Sequence, residues 1–452
     1  MVVRGRRQPT GNATAVHEAP MVTITTEPNG TLTLTAGAVC TTPLYATVDR
    51  AGALHASWDL TETARHAPTG RLHEVELARL LALWLRYTPA TLYADVVRLT
   101  ERATLTLHAG ALQVSLPADA DHYEPRPLRP DADVITAFED LLTAAIRTRV
   151  FDPSASVVEV SGGFDSAQVA LSLAGLHAGE LTSAAVMLGG NPGAQQAHRR
   201  RQFLGGRFAS DATVPAIPPL APGGLRSSGM TTSPYEDAYT EATTAMLLLA
   251  TAGRPATVWT GIGGDELLAL TASERPAPPI GHDRAPNPWL SKQTLAALEA
   301  ADDDLPPITV VNEMTLLQFG YRAPIMLRAG CWPFHPLADP ALIRFGEWLP
   351  STWRRGKRLA RARLERAGMG TEVTRPQQAE NFSDVMQQAI VEYAVPWLRL
   401  MLTQGGILLD AGYLDPAGLH AALDRIDASG YTPRDAELFD VLCVEQAAAA
   451  IS

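Results

Sequence analysis

Two short stretches of this chain carry residue types that could manage a polyphosphate. In Ser161-Gly162-Gly163-Phe164-Asp165-Ser166 the paired glycines let bare backbone N–H groups approach an anion closely. Val157, Val158 and Val160 before them read as the end of a buried strand, and Val169, Ala170, Leu173 and Ala174 behind them share one face of a helix. Such a strand–turn–helix unit points the positive end of the helix dipole back at the turn, with Ser166 as the expected N-cap, and so forms a cradle for a pyrophosphate. No Gly-Lys-Ser/Thr follows the glycines, which separates the stretch from the Walker-type loop. About a hundred residues later ATVWTGIGGDELL (256–268) repeats the layout, an apolar strand ending in Gly261, Gly263 and Gly264 and then in the acids Asp265 and Glu266. Either stretch alone could be an ordinary βα turn. Together they describe one site built on one sheet.

The elements that must position these turns can be read from the hydrophobic pattern. Between 22 and 60, short alternating runs (VTITTEP, TLTLTAG, LYATVD, LHASWDL) separated by Asn-Gly and similar turns predict antiparallel sheet. Leucine spacing predicts a helix over 72–87, and TLTLHAGALQVSLP (104–117) a hairpin turning at His108-Ala109-Gly110. The Pro- and Asp-rich run 119–131 reads as a linker. A helix over 134–149, the strand before Ser161, a crossover helix and a parallel strand over 181–189 then follow, with a basic helical start at 199–208 and a Pro/Gly-rich loop over 212–233. A Pro-rich loop is expected over 275–290, helices from there through Leu327, and a mostly helical tail over 385–451.

With 452 residues, 46% of them hydrophobic, the chain can build two or three cores. A net charge of −11 and a pI near 5.5 argue against a nucleic-acid surface. Cys40, Cys331 and Cys443 are far apart and form no CxxC, so neither a zinc site, an iron–sulfur site nor a disulfide framework is indicated, and a reducing cytoplasm is the expected location. Residues 1–20 carry Arg4, Arg6 and Arg7 without an apolar run and read as a disordered leader, and no stretch reaches transmembrane length.

SGGFDS resembles the PP-loop of the ATP pyrophosphatases, which cleave ATP between the α- and β-phosphates. GIGGDE resembles the second motif of the asparagine synthetases and their relatives. The resemblance implies an α/β fold, with a PP-loop parallel-sheet (HUP-like) synthetase domain over 131–452 that has a helical C-terminal part. A truncated, degenerate class II glutaminase-like antiparallel domain over 21–130 is implied before it, from Pro43-Leu44-Tyr45, Gly52 to Ser57 and Val97-Arg98-Leu99. It implies ATP and Mg2+ as cofactors: Ser161, Gly162, Gly163, Asp165, Ser166, Gly261, Gly263, Gly264 and Arg361 would hold the nucleotide, and Asp165 with Asp265 the metal. Two carboxylates at the ends of neighbouring parallel strands suit a hard cation held against a polyphosphate. Lys357 and Arg361, in KRLAR, resemble a phosphate-approaching K..LR, and Arg375 and Phe382 match a further R…F; Lys357 and Arg375 are expected in the chemistry, and Glu236 where relatives carry an acid facing the substrate cleft. Phe334-His335-Pro336-Leu337-Ala338-Asp339 is similar to the family's PFLD corner.

Three departures qualify the resemblance. Val2 stands where a working glutaminase exposes a cysteine, so no glutamine hydrolysis is expected, and Cys40 reads as a buried thiol. Ile262 replaces the glutamate or tyrosine that relatives place between the glycines, leaving the general base unassigned, with Glu266 as a neighbouring helper. Gln377, Gln378 and Ala379 stand where relatives carry a pyrophosphate-binding lysine. The resemblance therefore implies an AMP-forming carbon–nitrogen ligase, nearest to lasso-peptide macrolactam cyclases and β-lactam synthetases, acting on a small-molecule or peptide substrate, with a precursor peptide and its leader-removing protease as partners and without nucleic acid or membrane. An ammonia-using asparagine-synthetase-like enzyme and a nucleotide-binding pseudoenzyme are the alternatives.

Overall fold

The computed structural model describes residues 21–230, 232–270, 274, 286–303, 306–376 and 380–451. The expected leader, most of the Pro-rich loop over 275–290, and Gln377, Gln378 and Ala379 lie outside the described residues.

The first part of the chain is antiparallel, as its alternation requires. Strands β1 (Val22–Thr26), β2 (Leu32–Ala36), β3 (Tyr45–Val48), β4 (Leu54–Ser57), β5 (Val97–Arg98), β6 (Thr104–His108) and β7 (Ala111–Ser115) form two sheets, ordered β1-β2-β6-β7 and β4-β3-β5. Leu34, Ala36 and Leu105 face a small core with Cys40 and Leu99, while Thr35 and Thr104 face solvent side by side. The helix expected over 72–87 spans Glu74–Ala82: the His73 ring caps its start, and Leu83, with φ +53°, turns the chain left-handed and ends it.

The second part is built on five parallel strands, β8 (Ser156–Glu159), β9 (Thr182–Met187), β10 (Ser210–Pro215), β11 (Ala256–Trp259) and β12 (Cys331–Phe334), ordered β10-β9-β8-β11-β12. Helices cover both faces, so neighbouring residues of one strand enter different cores. Val158 and Trp259 pack with Phe138, Val169, Leu173 and Leu359, whereas Val157 and Val258 pack with Ala184, Met246, Leu247 and Met326. The order of strands reverses between β8 and β11, the place where an open α/β sheet leaves a crevice at the carboxyl ends of its strands. Both glycine-rich turns leave the sheet there.

Two strands depart from the expected pattern. β10 occupies the beginning of the stretch expected to be a loop, and β12 was not anticipated. Both are edge strands, short and proline-containing (Pro215, Pro333), and an edge tolerates the missing N–H that a central strand does not. The helix expected over 199–208 spans Gly190–Leu204 and ends at Gly205, φ +50°. Ser166 is not the N-cap of the helix Phe164–Leu176. That position is Gly163, and Ser166 lies one turn in, its hydroxyl donating to Gly163 O at 3.2 Å and accepting from the Ser161 N–H at 3.2 Å.

The tail is helical, with Val395–Gln404, Pro416–Ser429 and Leu438–Ala449 its longest elements. Its apolar faces meet the first part of the chain directly. Tyr45, Leu60, Leu77, Leu81 and Tyr93 share one buried cluster with Ile390, Leu398, Leu419, Leu442 and Val444, and Tyr93 Oη donates to Ala447 O at 2.9 Å. The stretch 119–131 is neither helix nor strand; the N–H of Ala120 donates to Ile308 O and that of Arg126 to Trp348 O, so the connection lies along the second part. No helix among the described residues is long and apolar enough to cross a membrane.

Candidate functional site

β8 delivers Ser161 at its carboxyl end, and the chain turns through Gly162, whose φ of +101° favours glycine. The turn is internally tied: Gly163 N–H donates to Ser161 Oγ at 3.2 Å, and the Ser161 and Ser166 hydroxyls lie 3.1 Å apart. β11 delivers the second turn against the first. A β-carbon on Gly261 would overlap the Asp165–Ser166 backbone, and one on Gly264 would sit 2.5–2.6 Å from the Asp165 side chain. These glycines are therefore required by contact between the two turns, and that contact brings Asp165 and Asp265 together. Gly263 has φ +94° and packs against Ala338 of the Pro336–Ala338 turn.

The Lys357 ammonium lies between the two carboxylates, 2.5 Å from Asp165 Oδ2 and 2.6 Å from Asp265 Oδ1. It is presented by two consecutive left-handed residues, Gly356 at φ +59° and Lys357 at φ +55°, ahead of the helix Arg358–Arg366. For a residue with a β-carbon that conformation costs on the order of 1–2 kcal/mol. Burial works against the charge on Lys357, but Asp165 and Asp265 outweigh it and hold its pKa above the ordinary value. Burial raises the Asp165 carboxyl above its usual range despite the opposing pull of Lys357. The two results describe one arrangement: a buried acid that needs a cation, and a cation fixed by two acids.

Three further cations surround the turns. The Arg361 guanidinium sits 5.4 Å from the centroid of the Phe164 ring, and its buried Nε has no partner among the described residues. Arg199, buried on the helix Gly190–Leu204, donates from Nε to Gly162 O at 3.2 Å and from Nη2 to Glu380 Oε1 at 2.6 Å. Arg322 reaches Glu159 Oε1 at 2.6 Å and Asp237 Oδ2 at 3.3 Å, at the carboxyl end of β8.

Of the expected site residues, Ser161, Gly162, Gly163, Asp165, Ser166, Gly261, Gly263, Gly264, Asp265, Lys357 and Arg361 are gathered at the two turns. Arg375 stands apart: it is exposed, 3.8 Å from Glu365, beside a cleft that it lines with His198, Arg199 and Thr371. Glu236 is buried, receives both Arg328 guanidinium nitrogens at 2.6 and 3.1 Å, and accepts the Ser233 N–H. No hydrogen bond joins it to the two turns among the described residues. Ile262 points into an apolar cluster with Tyr87, Leu316 and Phe319.

Glu266 differs from Glu236. Its Oε2 has no partner among the described residues, and it lines a cavity of about 370 Å3 with Tyr87, Leu267, Val310, Asn312 and Glu313, where the first part of the chain meets the parallel sheet. Among the described residues no three His, Cys, Asp or Glu side chains are grouped as a metal cage. Asp165 and Asp265 offer two carboxylates, which fits a magnesium ion completed by phosphate and water oxygens and not one enclosed by protein.

Arg199, Glu380 and the Arg322 cluster were not reached from sequence. The run Arg199-Arg200-Arg201 was the available signal, but it reads as a surface helix. No family model matches this chain, and no curated protein matches it.

Proposed function

We propose that this chain is an ATP-dependent, AMP-forming ligase with a PP-loop, HUP-like sheet, which activates a carboxylate as its adenylate and closes an amide on it. The observation that carries this reading is the convergence of Asp165 and Asp265, from turns after β8 and β11, on one cation at the reversal point of a parallel sheet. Magnesium-ATP, when bound, supplies the electrophilic α-phosphorus and pyrophosphate as leaving group. The substrate carboxylate oxygen forms the bond to phosphorus as the bond to pyrophosphate breaks. An amine then attacks the acyl carbon, AMP departs with the bonding pair, and the amine gives up a proton.

The chain's part in this is positional and electrostatic. Asp165 and Asp265 fit the metal; the helix start behind Gly163 and the Lys357 ammonium stabilise charge that moves onto pyrophosphate. Ile262 can take no proton. Glu266, which lines the neighbouring cavity and whose buried Oε2 has no partner among the described residues, is the acid nearest in sequence to that position and the candidate we assign to the proton of the amine. An amine on the same molecule as the carboxylate gains from proximity, with effective molarities on the order of 10⁵ M or more. The substrate we favour, from the resemblance to macrolactam cyclases, is a precursor peptide freed of its leader, closed between a side-chain carboxylate and its N-terminal amine; the cavity of about 370 Å3 lined by both parts of the chain is large enough for a side chain of such a peptide.

The test is mass spectrometry of candidate precursor peptides, incubated with the protein, ATP and magnesium. A decrease of about 18 daltons with one AMP per ring supports the reading. A decrease of about one dalton with ammonium present, and no ring, transfers it to an ammonia-using, asparagine-synthetase-like amide synthetase, and absence of AMP and pyrophosphate refutes it.

A further inference from the structure

The space in front of the Ser161-Gly162-Gly163 turn contains an anion belonging to the chain itself. A β-carbon built on Gly162 would lie 2.7 Å from Glu380 Oε1, and one on Gly163 3.7 Å from Glu380 Oε2. The carboxylate therefore lies over the two glycines, where a phosphate oxygen would approach the turn. Its counter-charge is Arg199, whose Nε and Nη2 contact Oε1 at 3.1 and 2.6 Å while Nε also reaches Gly162 O. Both side chains are largely buried, 5% exposed for Arg199 and 16% for Glu380. The planar guanidinium fork matches phosphate as well as it matches carboxylate.

The other cations near the turn stand differently toward it. Lys357 is engaged by two aspartates, Arg361 lies over Phe164, and Arg200 is paired with Asp211. Arg199 alone of these four hydrogen-bonds a backbone atom of the glycine turn itself while holding an anion in front of it.

From this juxtaposition we infer that Arg199 is a second pyrophosphate-binding cation beside Lys357 and that Glu380 is a resident anion, which the pyrophosphate group displaces from Arg199 when nucleotide binds. The inference rests on the reading of the turn as a nucleotide site. It makes binding an exchange of one anion for another on a fixed guanidinium. A carboxylate left in place would repel an incoming pyrophosphate, so Glu380 weakens binding for as long as it stays.

Calorimetric titration of the full-length protein with inorganic pyrophosphate and with magnesium-ATP tests this on Arg199→Gln and Glu380→Gln, with thermal melting of each. Arg199→Gln should weaken pyrophosphate about 10–100-fold, the range of a lost charge-assisted contact. Glu380→Gln should tighten it about tenfold while lowering the melting temperature, because the ion pair with Arg199 is lost. Affinity and stability thus move in opposite directions, which a purely structural ion pair would not produce. If Arg199→Gln does not fold, Glu380→Gln decides: weaker or unchanged pyrophosphate binding overturns the inference. Should the wild type bind pyrophosphate and ATP and both variants bind them equally well, only this inference falls; should the wild type bind neither, the nucleotide reading falls and this one with it.

Discussion

Replacing Lys357 by Met should let magnesium bind in the absence of nucleotide. Both carboxylates touch the same ammonium, at 2.5 and 2.6 Å, so their near oxygens are no more than about 5 Å apart. Two unit charges at that distance repel by about 3 kcal/mol at an effective dielectric near 20, and by about 1 kcal/mol if solvent screening dominates. Asp265, whose side chain is 73% exposed, lies toward the screened end. The ammonium relieves that repulsion in the wild type, and a divalent cation entering alone must first expel it. In the Met variant the repulsion is relieved only by the metal, so magnesium should bind about 5–150-fold more tightly, the ratio that 1–3 kcal/mol represents. Met at the left-handed position bears the same backbone cost as Lys, so the loss of stability expected is that of leaving Asp165 without its counter-charge, which magnesium should restore. The assay is a magnesium titration without nucleotide, read by calorimetry or by the rise in melting temperature. A magnesium midpoint equal to or weaker than that of the wild type would falsify the idea that Lys357 holds the metal's place. Turnover should fall on the order of 100-fold or more in the same variant, because the cation that reaches the phosphates is gone.

Asp165→Asn and Asp265→Asn should each abolish AMP formation while leaving the circular dichroism spectrum unchanged, since one charge leaves the metal's shell with little change of shape; full activity with unaltered magnesium dependence in both would remove these residues from the site. His335 is buried on Phe319 and bonded to Thr260, and burial, with Arg322 adding to it, pushes its pKa from 6.5 down to about 3. The folded state therefore excludes a proton that the unfolded chain takes up, so its contribution to stability is complete above about pH 6.5 and is lost as pH falls toward 3, at up to about 1.4 kcal/mol per unit. His335→Gln should flatten the dependence of the urea midpoint on pH between 6.5 and 4.5, and an unchanged slope would place the acid sensitivity elsewhere.

What could be read from sequence was what the backbone settles locally. SGGFDS and GIGGDE announce themselves because their glycines are demanded by turn conformation at Gly162 and Gly263 and by contact at Gly261 and Gly264. The antiparallel strands near the start and the hairpin at His108-Ala109-Gly110 were legible from alternation alone. β10 and β12 were not, since four to six residues with a proline carry too little periodicity, and their strand character comes from the partner strand. Ser166 illustrates a competition that sequence cannot resolve: its hydroxyl binds back to Ser161 and Gly163, and the glycine before Phe164 takes the cap. Ion pairs were the least legible. Glu380 finds Arg199 across 181 residues and Glu236 finds Arg328 across 92, separations at which nothing in either neighbourhood names the partner.

The apolar cluster joining Tyr45, Leu77 and Tyr93 to Ile390, Leu419 and Leu442 has a consequence for how the molecule comes apart. A domain that could be removed would carry its own core. Here the tail's helices have their apolar faces against the amino-terminal part, so excising residues 21–130 would present Leu398, Leu442 and Val444 to water and leave a surface prone to aggregation. Cleavage within 119–131 alone would leave the two pieces associated, held by the cluster and by the bond from Tyr93 to Ala447. The amino-terminal part thus completes the core of the helical tail, and the two should melt in a single cooperative transition.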